Sequence, residues 1–396
     1  MSSLRHGRPL VISPGPSVIP DRVLSAMARP MPNMYAGEIV DISLEVLAEL
    51  PGLARTEGTP FIVIGNGHAA WQMAIANTLS RGDRVLVLES GTFARAWGEM
   101  AARSGVVVET LPGSDRGPVD PAAVEARLAA DTDHSIRSVL MVQADTATSV
   151  RNDIAAIRAA IDAAGHPALF QVDCIASLGC DPYEMDAWGV DVTVAACQKG
   201  LMVPPGMAFV LAGPKALARH READLNAGYF DWATRIDPEV HYQIFAGTLP
   251  ISHLYGLRAA LDLIAEEGGL EAVWRRHQVL ADAVRAAVEQ WAKPGAIELN
   301  ITDPAHRSNA VTTIRTGSID ARRLAALCDQ QAGLVLGVGI GALATSSFRF
   351  GHMGHLNPPM VLGALGTIEA VLGAIDAPTG GSGVAAAAAV IAAALT

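Results

Sequence analysis

From about residue 60 onward, short apolar runs alternate with stretches of helical periodicity, and this alternation constrains the fold more than any other feature. A short, continuously apolar strand is typical of a sheet buried on both faces, and the helices between such strands supply the covering layers. The pattern predicts an α/β fold with a mostly parallel sheet. The predicted strands are 61–65, 84–90, 106–111, 138–145, 168–174, 190–197 and 207–213, and the predicted helices are 68–80, 93–105, 121–130 and 154–165.

The pattern changes twice along the chain, which predicts three parts. Residues 1–20 contain VISPGPSVIP and form an extended arm, because proline cannot continue a helix. Residues 21–260 form the large domain that holds the sheet. Residues 261–396 form a smaller C-terminal α+β domain, in which long amphipathic helices precede a few strands. A Gly-rich hinge and a short Ala-rich helix follow at its end.

Composition excludes several classes of protein. The 396 residues carry a formal net charge of −11, and an acidic chain is a poor partner for nucleic acid, which needs clustered cations. Only four cysteines occur and none forms a C-x-x-C pair, so we expect no disulfide scaffold and no bound metal. No signal peptide and no long apolar run is visible, so we expect a cytoplasmic protein that does not span a membrane.

Lysine is scarce in this chain. Lys199, Lys215 and Lys293 are the only three lysines, and arginine supplies the rest of the 29 basic residues. A guanidinium does not deprotonate in proteins, so arginine cannot serve as an amine nucleophile. If the chemistry requires such a nucleophile, only these three residues can provide it.

Two polar features follow predicted strands. Residues 65–69, Gly-Asn-Gly-His-Ala, lead from a strand into a helix, and the free N–H groups of a helix start can bind a phosphate. An ordinary turn that uses glycine for its backbone angles explains the motif equally well. Asp173 ends an apolar strand, where the ligand crevice of an open α/β sheet lies. It could meet a cationic ligand group, or it could cap the next helix.

Two cationic residues are further candidates. Lys199 follows another strand end, and burial beside a crevice would lower its pKa and let it form a Schiff base. A lysine in a surface loop is the alternative, which the apolar neighbours disfavour. Arg349 alternates with Phe348 and Phe350, so it points to the opposite face of its strand. It could grip a carboxylate in two-point fashion or simply lie on an exposed strand face.

Together these features fit one chemistry, that of pyridoxal 5′-phosphate (PLP). The phosphate would lie at the helix start around residues 67–69, Asp173 would pair with the protonated ring nitrogen, and Lys199 would form the Schiff base. Asp173 and Lys199 are one strand and one short connection apart, so both can reach the same crevice.

Several longer segments carry a family resemblance. They are PGPS (14–17), GNGHAAW (65–71), RGDRVLVLESGTF (81–93), DTATSV (145–150), VDCIASLG (172–179), QKGLMVPPG (198–206), TLPISHLYGLRAAL (248–261) and FRFGHMG (348–354). Across nearly its whole length the chain resembles class V of the PLP-dependent aminotransferases, of fold type I, and within it the alanine/serine–glyoxylate group.

The resemblance implies a role for each matching position. Cofactor contacts are implied at Gly67, His68, Ala69, Phe93, Thr148, Asp173, Ile175, Gln198 and Lys199, and at Thr248 toward the cofactor of a neighbouring subunit, which implies a homodimer. Arg349 matches the residue that binds the substrate α-carboxylate. The sequence departs from the family pattern at Ala147, Ser149 and Phe245, where a hydroxyl residue, a glycine and a tyrosine are common, and this affects the expected substrate identity.

The implied activity is transfer of an amino group from a small amino acid, alanine or serine, to glyoxylate by a ping-pong mechanism. Lys199 and Asp173 would be the catalytic residues. An aspartate or hydroxyaspartate donor stays open, because His68, His253 or another arginine could supply a second cation. Pyridoxamine–pyruvate aminotransfer, a class V lyase such as a cysteine desulfurase or kynureninase, and a binding protein without catalysis are further alternatives.

Overall fold

The computed structural model describes residues 3–225 and 228–396. In chain order the strands are β1 (Leu10–Val11), β2 (Thr59–Gly65), β3 (Arg84–Leu88), β4 (Val107–Leu111), β5 (Ile136–Val142), β6 (Ala144–Asp145), β7 (Val150–Arg151), β8 (Leu169–Asp173), β9 (Val192–Ala196), β10 (Gly206–Ala212), β11 (Glu298–Leu299), β12 (Val311–Arg315), β13 (Leu334–Val335), β14 (Gly337–Val338) and β15 (Ser347–Gly351). The helices are α1 (Asp21–Met27), α2 (Glu38–Leu53), α3 (Gly67–Thr78), α4 (Thr92–Arg103), α5 (Pro121–Ala129), α6 (Ile154–Ala163), α7 (Pro214–His220), α8 (Ala233–Ile236), α9 (Ile251–Glu267), α10 (Leu270–Trp291), α11 (Ala321–Ala332), α12 (Pro358–Ala374) and α13 (Gly383–Ala394).

The large sheet has seven strands in the order β2-β10-β9-β8-β5-β3-β4. Strand β10 runs antiparallel to both β2 and β9, whereas β9, β8, β5, β3 and β4 pair in parallel. All residues of β8 and β9 are buried, as expected for apolar strands covered on both faces. The predicted α/β class with a mostly parallel sheet is confirmed, and each predicted strand and helix of this region has a counterpart.

Two hydrophobic clusters cover the two faces of this sheet. One cluster packs α2, α6 and α9 against side chains on one face of the sheet, such as those of Ile62, Phe170 and Phe209. The other packs α3 and α4 against the opposite residues, including Val63 and Val194. Successive strand residues point to opposite faces, so adjacent residues in β2 belong to different clusters. This arrangement fixes the strand ends that carry the candidate site.

The C-terminal part has a core of its own around the four-stranded sheet β11-β12-β15-β14. Strand β1 of the arm pairs in parallel with β13, so the arm lies on this part of the chain. The tail forms the expected Ala-rich helix α13, and Glu369 accepts hydrogen bonds from Gly383 N (2.6 Å) and Val384 N (3.2 Å) at its start. The predicted boundary at residue 260 falls inside α9, and the division into domains stays a prediction.

Within the described ranges, no helix combines the length and the apolarity needed to cross a bilayer. In the same residues, no cluster of three or more His, Cys, Asp or Glu side chains is placed to hold a metal ion. The four cysteines are buried and unpaired.

Candidate active site

The turn between β2 and α3 forms one wall of the site. Helix α3 begins at Gly67, and the side chain of Asn66 caps it by accepting a hydrogen bond from His68 N at 3.1 Å. A Cβ at Gly67 would lie 3.0 Å from Ile175 Cγ1, so a larger residue here would have to displace the Ile175 side chain. The positive end of the helix dipole therefore points into the site and favours an anion there.

Asp173 is the last residue of β8 and is buried, with 3% of its surface exposed. Its Oδ2 accepts a hydrogen bond from Trp71 Nε1 at 2.8 Å, and its Oδ1 accepts one from Ile175 N at 2.6 Å. Burial raises the pKa of Asp173 to about 7, although both hydrogen bonds favour the carboxylate. A carboxylate has about four acceptor sites, so this group can still accept from a cationic ligand.

Lys199 follows β9 and is half-buried at the same edge of the sheet. Its Nζ donates a hydrogen bond to the carbonyl oxygen of Pro14. Burial, and after it the positive charge of Arg349, lower the pKa of Lys199 to about 8, although the negative charge of Asp173 opposes both effects. An amine with such a pKa is partly neutral near pH 7, as a nucleophile or a general base requires.

Arg349 lies in β15 of the small sheet, between the fully buried Phe348 and Phe350. Its Nε donates to Val338 O at 2.8 Å and its Nη1 donates to Thr146 O at 3.0 Å. Burial lowers the pKa of Arg349 to about 10, which leaves the guanidinium charged at neutral pH. The hydrogen bond to Thr146 holds this residue against the loop that follows β5.

A cavity of about 170 Å³ lies between the start of α3, the end of β8 and the turn after β9. Its walls include seven of the predicted site residues, namely Gly67, His68, Phe93, Asp173, Ile175, Gln198 and Lys199. The remaining lining residues are Asn66, Trp71, Val142, Ala144, Thr146 and Ala176. Phe93 and Ile175 offer apolar surface for a planar ring, and the carboxylate, the amine and the helix start offer its polar contacts.

The predicted residues Ala69, Thr148, Thr248 and Arg349 do not line this cavity. The backbone N–H of Ala69 is already engaged in the first turn of α3, where it donates to Asn66 O at 2.9 Å. Thr248 is exposed on the surface of this chain. Arg349 adjoins the cavity through Thr146, which does line it.

The loop after β5 accounts for the position of Thr148. Its hydroxyl is buried and donates to Ser90 O at 3.1 Å, so it points away from the cavity. Ala147 N donates to Asp145 Oδ1 at 2.9 Å, and Ser149 adopts a left-handed φ of 64°. This tight turn directs Thr146, instead of Thr148, toward the cavity.

Asp145 anchors that loop to helix α4. Its carboxylate is fully buried and accepts hydrogen bonds from Phe93 N at 2.8 Å and Ala94 N at 3.4 Å, besides the one from Ala147. Burial raises the pKa of Asp145 to about 6. The start of α4 is thereby fixed, and with it the ring of Phe93.

The sequence analysis assigned no individual role to Asn66, Trp71 or Thr146, although all three line the cavity. Asn66 lies inside the motif GNGHA, and its residue type is a common helix cap. Trp71 lies four residues after Gly67 and therefore on the same helix face, which the sequence could have indicated. Thr146 carried no comparable signal.

Phe245, where the family pattern has a tyrosine, is fully buried in the hydrophobic cluster that packs α2, α6 and α9 against the large sheet. It packs near His241, with 6.0 Å between the ring centroids. The residue contributes to packing in this chain and does not border the cavity.

The strand ends of this α/β sheet bring together a partly neutral lysine, a buried carboxylate and a helix start. These features define a class of protein, that of enzymes that use an amine nucleophile beside an anion site. Comparison with known proteins gives the family. A sequence profile described as aminotransferase class-V matches residues 46–351.

Two curated relatives and a solved structure extend this match. The chain is 38% identical to the serine–glyoxylate aminotransferase of Methylorubrum extorquens, over 97% of this chain and 96% of that protein. It is 37% identical to the L-aspartate–glyoxylate aminotransferase of Paracoccus denitrificans, over 95% and 94% of the two chains. The crystal structure of ureidoglycine–glyoxylate aminotransferase from Bacillus subtilis superposes with a TM-score of 0.89 at 26% identity, over 98% of this chain and 100% of that one. The chain belongs to the class-V aminotransferase family and is an aminotransferase.

Proposed function

We propose that this enzyme binds PLP in the cavity between α3 and the ends of β8 and β9. One observation carries the proposal: Lys199, Asp173 and the N-terminus of α3 face the same cavity, with Phe93 and Ile175 between them. The helix start would hold the phosphate, Asp173 the ring nitrogen, and Lys199 Nζ the aldehyde carbon. When bound, PLP supplies an electron-accepting ring that stabilises negative charge at the substrate Cα.

The protein's own residues would bind the substrate and move its proton. Arg349 is charged and adjoins the cavity, so it would bind the substrate carboxylate and orient the Cα–H bond toward Lys199. Lys199 Nζ, with its pKa lowered to about 8, would accept that proton and later return it. Asp173 would stay ionised beside a protonated ring nitrogen, because an opposite charge favours the carboxylate.

We infer that the donor is a small amino acid, alanine or serine, and that the acceptor is glyoxylate. The three relatives named above differ in their amino donors, but each carries glyoxylate in its name. A dicarboxylic donor would need a second cation. Arg95 is held by Glu89 at 2.6 Å, and burial lowers the pKa of His68, which disfavours its charged form. Within the described residues, this favours a donor with one carboxylate.

The cysteines argue against a desulfurase. Burial raises the pKa of Cys180 and Cys197 to about 12, and a desulfurase needs a reactive thiolate. Cys174 and Cys328 are also buried. Four unpaired thiols fit a cytoplasmic enzyme, which is the compartment we propose.

A homodimer is part of the proposal. Thr248 is exposed and lies outside the cavity of its own chain, which supports a contact with the cofactor of a neighbouring subunit.

The test is a matrix of alanine, serine and aspartate as donors against glyoxylate, pyruvate and 2-oxoglutarate as acceptors, measured with PLP added. We expect the highest kcat/KM for alanine or serine with glyoxylate. A clear preference for 2-oxoglutarate would overturn the acceptor, and a clear preference for aspartate would overturn the donor. Borohydride reduction followed by peptide mapping should attach the cofactor to Lys199. Attachment to Lys215 or Lys293 would overturn the site.

A further inference from the structure

The arm segment 12–17 contacts the strand that carries the carboxylate-binding arginine. Ile12 N donates to Val335 O at 3.0 Å, and Gly351 N donates to Ile12 O at 2.7 Å. A Cβ at Gly351 would lie 2.8 Å from Pro14 Cα, so the segment packs directly against β15. One side of the arm is thus fixed to the small sheet.

The same segment is also hydrogen-bonded to the backbone of Gln198 and Lys199. Ser17 N donates to Gln198 O at 3.0 Å, and Ser17 Oγ donates to Lys199 O at 2.7 Å. Both acceptors belong to the turn that follows β9. The arm therefore links the strand of Arg349 to the backbone of Lys199.

Between these two anchors the arm contacts the lysine side chain itself. Lys199 Nζ donates to the carbonyl oxygen of Pro14. Gly15 has a φ of +90°, and a Cβ there would lie 2.5 Å from Lys199 Cδ and 2.6 Å from Cε. The absence of a side chain at Gly15 creates the space that the lysine occupies. Any other residue would displace the lysine or the arm.

We propose that Pro14 and Gly15 form a dock for the ε-amine of Lys199, with Pro14 O as acceptor and Gly15 as the space for the alkyl chain. The inference rests on the proposed function, in which Lys199 Nζ must leave the cofactor and then move a proton. A lysine has a flexible four-carbon stem and three donors. The dock engages one donor and limits the conformations of the stem, so the released amine stays beside the substrate. Pro14 and Gly15 are positioning residues.

The first test uses the cofactor-free protein and Gly15→Ala. Limited acetylation with acetic anhydride at neutral pH, followed by mass spectrometry, gives the labelling rate of each lysine, with Lys215 as internal reference. We expect the Lys199/Lys215 rate ratio to rise about fivefold, the factor for losing one ordinary hydrogen bond. Gly82→Ala is the matched control, because Gly82 has a φ of +84° and a Cβ there would meet nothing within 4 Å. The control should leave the ratio unchanged.

Ser17→Ala separates the dock from general shielding by the arm. It removes the hydroxyl bond to Lys199 O but keeps the Ser17 N–H bond and the Gly15 backbone. We expect a smaller rise in the ratio than for Gly15→Ala. A rise as large as that of Gly15→Ala would overturn the dock, and so would an unchanged ratio in Gly15→Ala.

The second readout is kinetic and uses the enzyme with PLP. Gly15→Ala should lower kcat at least fivefold and leave the KM of the amino donor within about twofold, because the hydrogen bonds that hold Arg349, to Val338 O and Thr146 O, involve no arm residue. A rise in KM with unchanged kcat would overturn a positioning role at the lysine. Failure of the proposed function is distinguishable, since wild-type enzyme would then lack borohydride labelling at Lys199 whatever the acetylation ratios show.

Discussion

The hydrogen bond from Trp71 to Asp173 allows the role of this carboxylate to be tested. Trp71→Phe removes the Nε1–H donor that lies 2.8 Å from Asp173 Oδ2 and keeps an aromatic ring in the same buried position. The backbone donor Ile175 N, at 2.6 Å from Oδ1, stays in place. The substitution therefore changes how well the site stabilises the charge of Asp173.

The magnitude follows from the burial of the group. A hydrogen bond to a charged group contributes about 1.5–3 kcal/mol, and one pKa unit corresponds to about 1.4 kcal/mol. The pKa of Asp173, already raised to about 7, should therefore rise by a further one to two units in Trp71→Phe. At neutral pH most of the carboxyl groups would then be protonated and would lose their ionic attraction for a protonated ring nitrogen.

The assay is equilibrium titration of the cofactor-free protein with PLP between about pH 6 and pH 9. At neutral pH we expect the Kd of PLP to increase about 5- to 50-fold in Trp71→Phe, because about half of the Asp173 carboxyl groups are already protonated at pH 7 before the substitution. The variant should recover affinity as the pH rises, because a higher pH deprotonates Asp173 again.

Trp97→Phe is the matched control. Trp97 is fully buried and stacks on Trp71 with 6.0 Å between centroids, and among the described residues its Nε1 has no hydrogen-bond partner. Trp97→Phe removes the same atoms as Trp71→Phe, but it removes no hydrogen bond to Asp173. Equal increases of Kd in the two variants would refute the reasoning, since ring packing and not the hydrogen bond would then explain the effect.

Four further predictions concern the same site. Lys199→Ala should abolish turnover and borohydride labelling while PLP still binds non-covalently. Turnover that persists at the wild-type rate would contradict this. Arg349→Ala should raise the KM of the amino donor about 10- to 100-fold, with a smaller effect on kcat, in steady-state kinetics. Burial raises the pKa of Asp173 to about 7 and that of Asp145 to about 6, so the folded protein holds protons that the unfolded chain releases above about pH 4. The free energy of unfolding of the cofactor-free protein should thus fall between about pH 4 and pH 7, and Asp173→Asn should reduce that slope in denaturant titrations. Thr248→Ala should leave a dimer in sedimentation but weaken PLP binding about fivefold, the loss of one hydrogen bond.

The sheet could be predicted because its strands are short apolar runs bounded by turns. Burial on both faces requires nearly every residue of β8 and β9 to be apolar, which leaves a clear signal. The antiparallel direction of β10 had no such signal, because burial of a strand does not depend on its direction. The sequence placed Asp173 and Lys199 at strand ends, and parallel neighbours end at the same edge, so their proximity was predictable.

Loop conformation explains what could not be predicted. The position of Thr146 depends on the carboxylate of Asp145, which binds three backbone N–H groups from two segments far apart in sequence. The backbone conformation of that turn decides whether Thr146 or Thr148 faces the cavity. Side-chain pattern alone does not fix such a conformation, since both positions carry the same residue type.

If Arg349 binds the substrate carboxylate, as we propose, its position links substrate binding to the basicity of Lys199. Its positive charge lowers the pKa of Lys199, whereas the negative charge of Asp173 raises it. A substrate carboxylate bound to Arg349 would compensate the guanidinium charge, and the pKa of Lys199 would rise as a result. Nζ would then be a stronger base when a carboxylate is bound than when the site holds none. The arm hydrogen-bonds both to Gly351 at the end of β15 and to the turn of Lys199, so it joins the two elements that carry these cations.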